Sequence, residues 1–492
     1  MIREHLSLLL VLGPFVAAPV SAILPRGRAP WALTTVVSWT CLVLAAWQFA
    51  LVLDGSIISY ELGGWEPPWG IEYRVDALNA FVALIVAGIA AVSLPYALLS
   101  VELEIPRRQT PLFYAAFLLC LAGLLGIVLT GDVFNLFVFL EISSLSSYAL
   151  ISLGRQRQAL TAAYQYLIMG TIGATFLLIG IGLIYAETGT LNMADLSSRL
   201  PALFEHRTVH TAFAFIVTGV GLKLAMFPLH LWLPNAYTYA PSMVTVFLAS
   251  TATKVAVYVM LRMVFTVFSN GFAQETHTDD MFLLLGVAGV TLASYYAIYQ
   301  KDAKRLLAYS SIGQVGYMVL GMGFGSALGL TATVIHLFNH ALIKAALFMA
   351  LGGVVYRVGS SRIEDMKGLG RQMPWTFGAI CIGGLSLIGV PGTAGFISKW
   401  YLLLAALEQR GWLIAAVILA GSLLAVIYVW KLVEAFFFQL PGHTGKVVEE
   451  APLSLLIPTW ILVIANIYFG FNTKLTVGAA ETAVRILGVV SR

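Results

Sequence analysis

Stretches of about twenty apolar residues recur from one end of this chain to the other, separated by short polar joints, and that recurrence leaves little choice of fold. In hydrocarbon, backbone polar groups must be satisfied within the spanning structure, which admits helices and closed barrels. Apolar runs of this length read as helices. Of the 492 residues, 59% are hydrophobic and 11% charged, against about 25% charged in soluble domains, so no water-soluble fold could cover so much apolar surface. The expectation is an all-α integral membrane protein.

Fourteen spans are expected, at 6–23, 31–53, 77–98, 112–129, 133–153, 163–186, 211–231, 243–268, 281–300, 306–324, 328–356, 375–407, 412–438 and 453–471. The first resembles a secretory signal peptide in length, but Pro14 and Pro19 and the second span close behind it favour a retained helix. Loops at 26–28, 107–108, 155–157, 301–305, 357–371 and Lys446 carry fourteen Lys and Arg. The opposite side, with Arg3, Arg410 and Arg492 among its residues, carries eight. Positive-inside bias then puts the first set in the cytoplasm and both termini outside a prokaryotic plasma membrane.

The net charge of +4 is scattered, without the clustered basic face that nucleic-acid binding needs. Cys41, Cys120 and Cys381 have no metal-ligand or redox spacing. Neither an organic nor a metal cofactor is expected.

Two spans carry helix breakers. The seventh is interrupted by Pro228, with Pro234 just beyond its end; the twelfth contains Gly383, Gly384, Gly389, Pro391, Gly392 and Gly395. They lie five spans apart, and an odd offset places them in helices of opposite direction, as in inverted repeats whose broken helices line an ion path. The division expected is an N-terminal three-helix segment at 1–110, five-helix repeats at 111–270 and 271–440, and a C-terminal helix and tail at 441–492.

Charges inside spans face protein or water and are functional by default. Here they are Glu141, Lys223, Lys254, Lys344 and Lys399, while His336, His340 and Lys344, four residues apart, stack on one helix face. Burial disfavours the charged form of acids and bases alike, which suits a chain of groups that exchange protons, with histidine bridging the steps. Blander readings exist for each. Glu141 and Lys223 fit a static ion pair, Lys254 and Lys399 fit snorkelling side chains, and the histidines fit helix–helix hydrogen bonding. The H-x-x-x-H spacing lacks the glutamate of a zinc protease. Arg262, Lys431 and Glu434, near span ends, read as interfacial anchors.

The runs GDVFNLFVFLE at 131–141, GLKLAMFPLHLWLP at 221–234, KRLLAYSSIGQ at 304–314, HLFNHALIK at 336–344 and PGTAGFISK at 391–399 resemble the proton-conducting antiporter family. That family includes the large subunits of Mrp-type sodium/proton antiporters and the antiporter-like subunits of respiratory complex I and membrane-bound hydrogenases. Within it, the length, the fourteen spans, YRVDALN at 73–79 and Lys399 are most similar to the D-type Mrp component. The resemblance implies a proton path through Glu141, Lys223, Lys254 and Lys399, with His336, His340 and Lys344 linking two half-channels. It also implies the A, B, C, E, F and G components of an Mrp complex as partners, with a proton and a monovalent cation as the ions exchanged. The run SSLSS at 143–147 is more hydroxyl-rich than the family pattern and leaves a cation-coordinating or hydrogen-bonding role open there.

Overall fold

The computed structural model describes residues 5–409, 411–440 and 447–488. Of the charges used for orientation, Arg3, Arg410, Lys446 and Arg492 lie outside the described residues. The helices are α1 (Leu6–Ile23), α2 (Ala29–Val52), α3 (Ala77–Glu104), α4 (Thr110–Leu129), α5 (Val133–Ser152), α6 (Arg157–Thr188), α7 (Met193–Arg199), α8 (Arg207–Leu224), α9 (Trp232–Tyr239) and α10 (Ser242–Ser250). They continue as α11 (Ala252–Leu261), α12 (Asn270–Glu275), α13 (Thr278–Ile298), α14 (Ala303–Gly323), α15 (Ala327–Val358), α16 (Pro374–Ile388), α17 (Ala394–Gln409), α18 (Trp412–Phe437), α19 (Leu453–Phe471) and α20 (Lys474–Ile486).

Among the described residues, eleven helical segments are long and apolar enough to cross a membrane on those grounds alone, with Ser242–Val267 taken as one. The expected seventh and twelfth spans are each split into shorter halves, α8–α9 and α16–α17. The expected tenth, α14, opens on Lys304 and Arg305 and carries Ser310, Ser311 and Gln314, which lowers its hydropathy. One departure from an all-helical chain is small: strands β1 (Ile58–Glu61) and β2 (Glu72–Val75) pair antiparallel in the loop before α3.

Helix α15 is the axis of the bundle. It packs against α3, α10, α14, α16, α17, α19 and α20, and every residue from Gly329 to Val354 is buried. A helix without an exposed face is what a position surrounded by other helices produces, and its polar side chains then turn inward to protein.

One local pattern occurs twice, shifted by 170 residues. Val133 N–H donates to Leu191 O and Met193 N–H to Gly131 O; Ala303 N–H donates to Ser361 O and Ile363 N–H to Lys301 O. Asp132 caps α5 through Asn135 N–H, and Asp302 caps α14 through Arg305 N–H. The helices that follow, α6 and α15, are both 32 residues long, and both end on a left-handed glycine, Gly189 and Gly359.

The breaks fall partly where expected. Pro228 lies between α8 and α9, and Pro391 and Gly392 lie between α16 and α17. Pro234 is instead the third residue of α9 and Gly395 the second of α17. First-turn N–H groups have no partner within the helix, so proline is tolerated there. Gly395 serves close approach instead, since a Cβ on it would stand 1.9 Å from Ser386 O.

A further interruption carries neither glycine nor proline. Thr251, at φ −122° and ψ −56°, separates α10 from α11. Arg262 also departs from expectation, because it is buried rather than interfacial. Its Nη2 donates to Asp76 Oδ1 at 2.8 Å and Oδ2 at 2.7 Å, and Asp76 in turn caps α3 through Leu78 and Asn79 N–H. Lys431, by contrast, donates to Ile298 O and Gln300 O at the end of α13, a position near a span end as expected.

Candidate functional site

Lys223 lies in the last turn of α8, whose end is formed by Ala225 in a left-handed conformation at φ 57°. Its Nζ faces α5, donating to Ser144 Oγ at 2.8 Å, Tyr148 OH at 3.4 Å and Glu141 Oε1 at 3.5 Å. The expected Glu141–Lys223 pair is therefore formed. The two ends differ in environment: the Lys223 side chain is 7% exposed and that of Glu141 is 27%. Glu141 sits on the open stripe of α5 with Phe134, Val138 and Leu145, all exposed. An aromatic chain closes the other side. Tyr148 meets Tyr166 edge-on, Tyr166 stacks on Trp232 with centroids 3.9 Å apart, and the Trp232 indole donates to Leu222 O in the last turn of α8.

Lys254, in α11, is fully buried. Its ammonium donates to Ala249 O at 2.5 Å and Thr253 Oγ1 at 3.4 Å. The interruption at Thr251 frees that carbonyl from regular helical bonding, which is how a fully buried lysine finds an acceptor without an acid.

On α15 the expected stack is present. His336 and His340 lie parallel, with ring centroids 5.9 Å apart and planes 6° from parallel. His336 Nδ1 shares a hydrogen bond with Ser398 Oγ at 2.8 Å. His336 Nε2 and both ring nitrogens of His340 have no protein partner among the described residues. Buried polar atoms without protein partners are where ordered water or function is to be looked for. One turn on, Lys344 Nζ donates to Ser310 Oγ at 2.5 Å and Leu307 O at 2.8 Å, both on α14.

Lys399 ends the file. Rising from α17, it reaches back to the end of α16 and donates to Ile388 O at 2.9 Å, Leu387 O at 3.0 Å and Ser422 Oγ at 3.1 Å. A cation at the carbonyl end of a helix meets the negative end of its dipole. Its ammonium also lies 4.8 Å from the centre of the Tyr317 ring, and that ring meets His336 edge-on. Lys399, Tyr317, Ser398, His336 and His340 are thus contiguous. The break beside them is fixed by two asparagines: Asn339 Nδ2 donates to Ala394 O, and Asn466 Oδ1 accepts from Ser386 Oγ and Ala394 N–H.

The sequence-predicted residues fall into two tight groups, with Lys254 between them on a helix that packs against both α8 and α15. Residues missed by sequence reading are the neutral partners: Tyr148, Trp232, Ser310, Tyr317, Asn339, Ser398, Ser422 and Asn466. Asn339 could have been found from its place between the two histidines. The others carry no signal beyond being polar or aromatic within an apolar run.

Broken helices, a buried set of four lysines and two histidines, and the part-exposed Glu141 paired with one of those lysines define a class, the polytopic membrane transport module. Residues 130–425 match the family model described as NADH:quinone oxidoreductase/Mrp antiporter, transmembrane, and the chain belongs to that family. It is 41% identical over 487 residues to the N component of the NADH-quinone oxidoreductase of Desulforudis audaxviator, covering 96% of this chain and 97% of that one. It is 32% identical to the D component of the Na(+)/H(+) antiporter of Alkalihalophilus pseudofirmus, covering 96% and 94%. A chain of the Mrp complex from a Dietzia species superposes with a TM-score of 0.90 at 25% identity, covering 99% of this chain and 98% of that one.

Proposed function

We propose that this chain is the D-type module of a multisubunit monovalent cation/proton antiporter, carrying protons along a file from Glu141 and Lys223 through Lys254, Lys344, His340 and His336 to Lys399. One observation carries the reading: Lys254, Lys344 and Lys399 are held by carbonyl and hydroxyl oxygens rather than by acids. Loss of a proton from any of them strands no buried carboxylate, so each can pass between charged and neutral states.

The chain crosses the prokaryotic plasma membrane fourteen times, with both termini outside. The regions 111–270 and 271–440 are inverted repeats, a reading supported by the hydrogen-bond pattern repeated at a shift of 170 residues. Glu141 on the open stripe of α5 calls for a neighbouring membrane protein, because a part-exposed carboxylate is expensive against lipid. The Mrp components A, B, C, E, F and G are the partners proposed. The test is antiport in vesicles holding the whole complex, with Na⁺, K⁺ and Li⁺ compared, where proton movement coupled to a cation gradient is expected.

The 41% relative, named as part of a quinone oxidoreductase, favours a second reading, a proton-pumping module of a redox complex. Iron–sulfur or nickel proteins among the neighbouring genes, with proton movement driven by an electron donor and by no cation gradient, would establish it in place of the first.

A further inference from the structure

The surroundings of Lys223 hold more than an ion pair. Three oxygens of α5, on Glu141, Ser144 and Tyr148, surround its ammonium at 3.5, 2.8 and 3.4 Å. Their spacing of three and four residues puts them on one helix face. A carboxylate, a hydroxyl and a phenol around one positive charge form the all-oxygen set that hard metal cations take. Room for the phenol depends on Gly170, where a Cβ would stand 1.8 Å from Tyr148 OH.

Next to this cage is a cavity of about 40 Å³, with Lys223 in its wall. One water-sized group needs roughly 10–15 Å³, so an amine fits. Its lining is mainly aliphatic, from α4, α8 and α11, with Ser143, Ser144 and Ser147 supplying hydroxyls. Ser143 Oγ donates to Leu140 O at 2.9 Å and Ser147 Oγ to Ser143 O at 2.7 Å. With their hydrogens used inside the helix, these oxygens are left as acceptors. Acceptors set in an aliphatic wall suit a neutral amine on a hydrocarbon stem.

We propose that Glu141, Ser144 and Tyr148 form a binding site for a monovalent metal cation that keeps part of its water shell on the open side of Glu141, and which takes the place of the Lys223 ammonium while the deprotonated amine withdraws into the adjoining cavity. One proton leaves Lys223 as one cation joins the Glu141 carboxylate, so the charge of the site is unchanged. The cation reaches the cage from the open stripe of α5, where Glu141 is part-exposed, and the left-handed residue Ala225, two positions beyond Lys223, ends the helix that would otherwise hold the lysine in place. This deepens the antiporter reading and rests on it.

The test uses the intact complex in detergent, weakly buffered, with proton release read by a pH dye on adding NaCl, KCl or LiCl against choline chloride. At least one metal chloride should release close to one proton per copy of this chain beyond choline. The half-saturating concentration should fall about tenfold per pH unit while Lys223 is mainly protonated, because one proton is exchanged for one ion. Lys223→Gln should abolish the release while radioactive cation still binds, now without pH dependence. Ser144→Ala should raise the half-saturating concentration about tenfold or more, and Ser144→Thr should restore it.

Equal release with choline, undiminished release from Lys223→Gln, or an unchanged half-saturation in Ser144→Ala each overturns the site. A complex that exchanges cations for protons in vesicles but fails these tests loses the cage and keeps the antiporter reading. One that exchanges no cation in vesicles loses both.

Discussion

Gly389→Ala should silence transport while leaving the chain folded. Gly389 ends α16 at φ +92°, and a Cβ there would stand 2.8 Å from Lys399 Cδ. A side chain in left-handed backbone costs roughly 1–2 kcal/mol. The clash must also be relieved, and the flexible lysine stem is the part that gives. Moving it unseats the ammonium from Leu387 O and Ile388 O, hydrogen bonds to a charged donor worth about 1.5–3 kcal/mol each. Backbone strain alone is small beside a typical stability of about 5–15 kcal/mol, so assembly should persist with a lowered thermal midpoint. Transport by vesicles under an imposed gradient, followed with a pH-sensitive dye, should fall at least tenfold. The control is Lys399→Ala, where the stem that clashes is absent, so that adding Gly389→Ala should lower stability by the backbone strain alone. Equal stability losses in both backgrounds, with transport intact in the single variant, would refute the link between this glycine and the lysine.

Other outcomes are open to measurement. Cysteines placed at 61–69 should react with an impermeant thiol reagent from outside the cell, and labelling only from the cytoplasm would reverse the proposed topology. Neutral substitution of Lys344 should stop transport in a complex that still assembles; unchanged transport with His336, His340 and Lys344 all replaced would make them packing residues. Glu141→Ala strands the buried Lys223, at a cost below the 3–5 kcal/mol of a fully buried pair because Glu141 is 27% exposed. The double change with Lys223→Ala should restore assembly without transport, and a fully active double variant would sink the proposed role of the pair in the proton path. Asp76→Ala leaves Arg262 buried without its carboxylate and removes the cap of α3, so it should lower thermal stability by about 3–5 kcal/mol, with part of the loss recovered in Asp76→Ala/Arg262→Leu.

The sequence was most legible where cost is high. An ionisable side chain inside an apolar run has few tolerable fates, so Glu141, the four lysines and the stacked histidines stood out, and Pro228, Pro391 and Gly392 marked real breaks. What stayed hidden is cheap in sequence terms. Thr251 interrupts a helix with an ordinary residue, and the carbonyl it frees matters only because Lys254 is three residues away. Arg262 read as an anchor because its distance to the span end is short, whereas its partner Asp76 is 186 residues earlier in the chain. Backbone hydrogen bonds that recur at a constant shift of 170 residues were also hidden, since a main-chain pattern is made by groups that every non-proline residue carries and leaves little trace in side-chain identity.

The balance of one carboxylate against six basic side chains has a consequence for what the module keeps out. Beyond Lys223, a proton can advance by binding to a neutral lysine or histidine and being released again, so it never travels as a free ion. A sodium or potassium ion has no such disguise. It would have to pass Lys254, Lys344 and Lys399 as a bare charge among groups that are themselves positive whenever they hold a proton, and in a medium of low dielectric that repulsion is scarcely screened. The arrangement proposed to conduct protons would therefore act as an electrostatic seal against metal-ion leak, and replacing Lys254 or Lys344 by an acid would be expected to weaken the seal before it altered the fold.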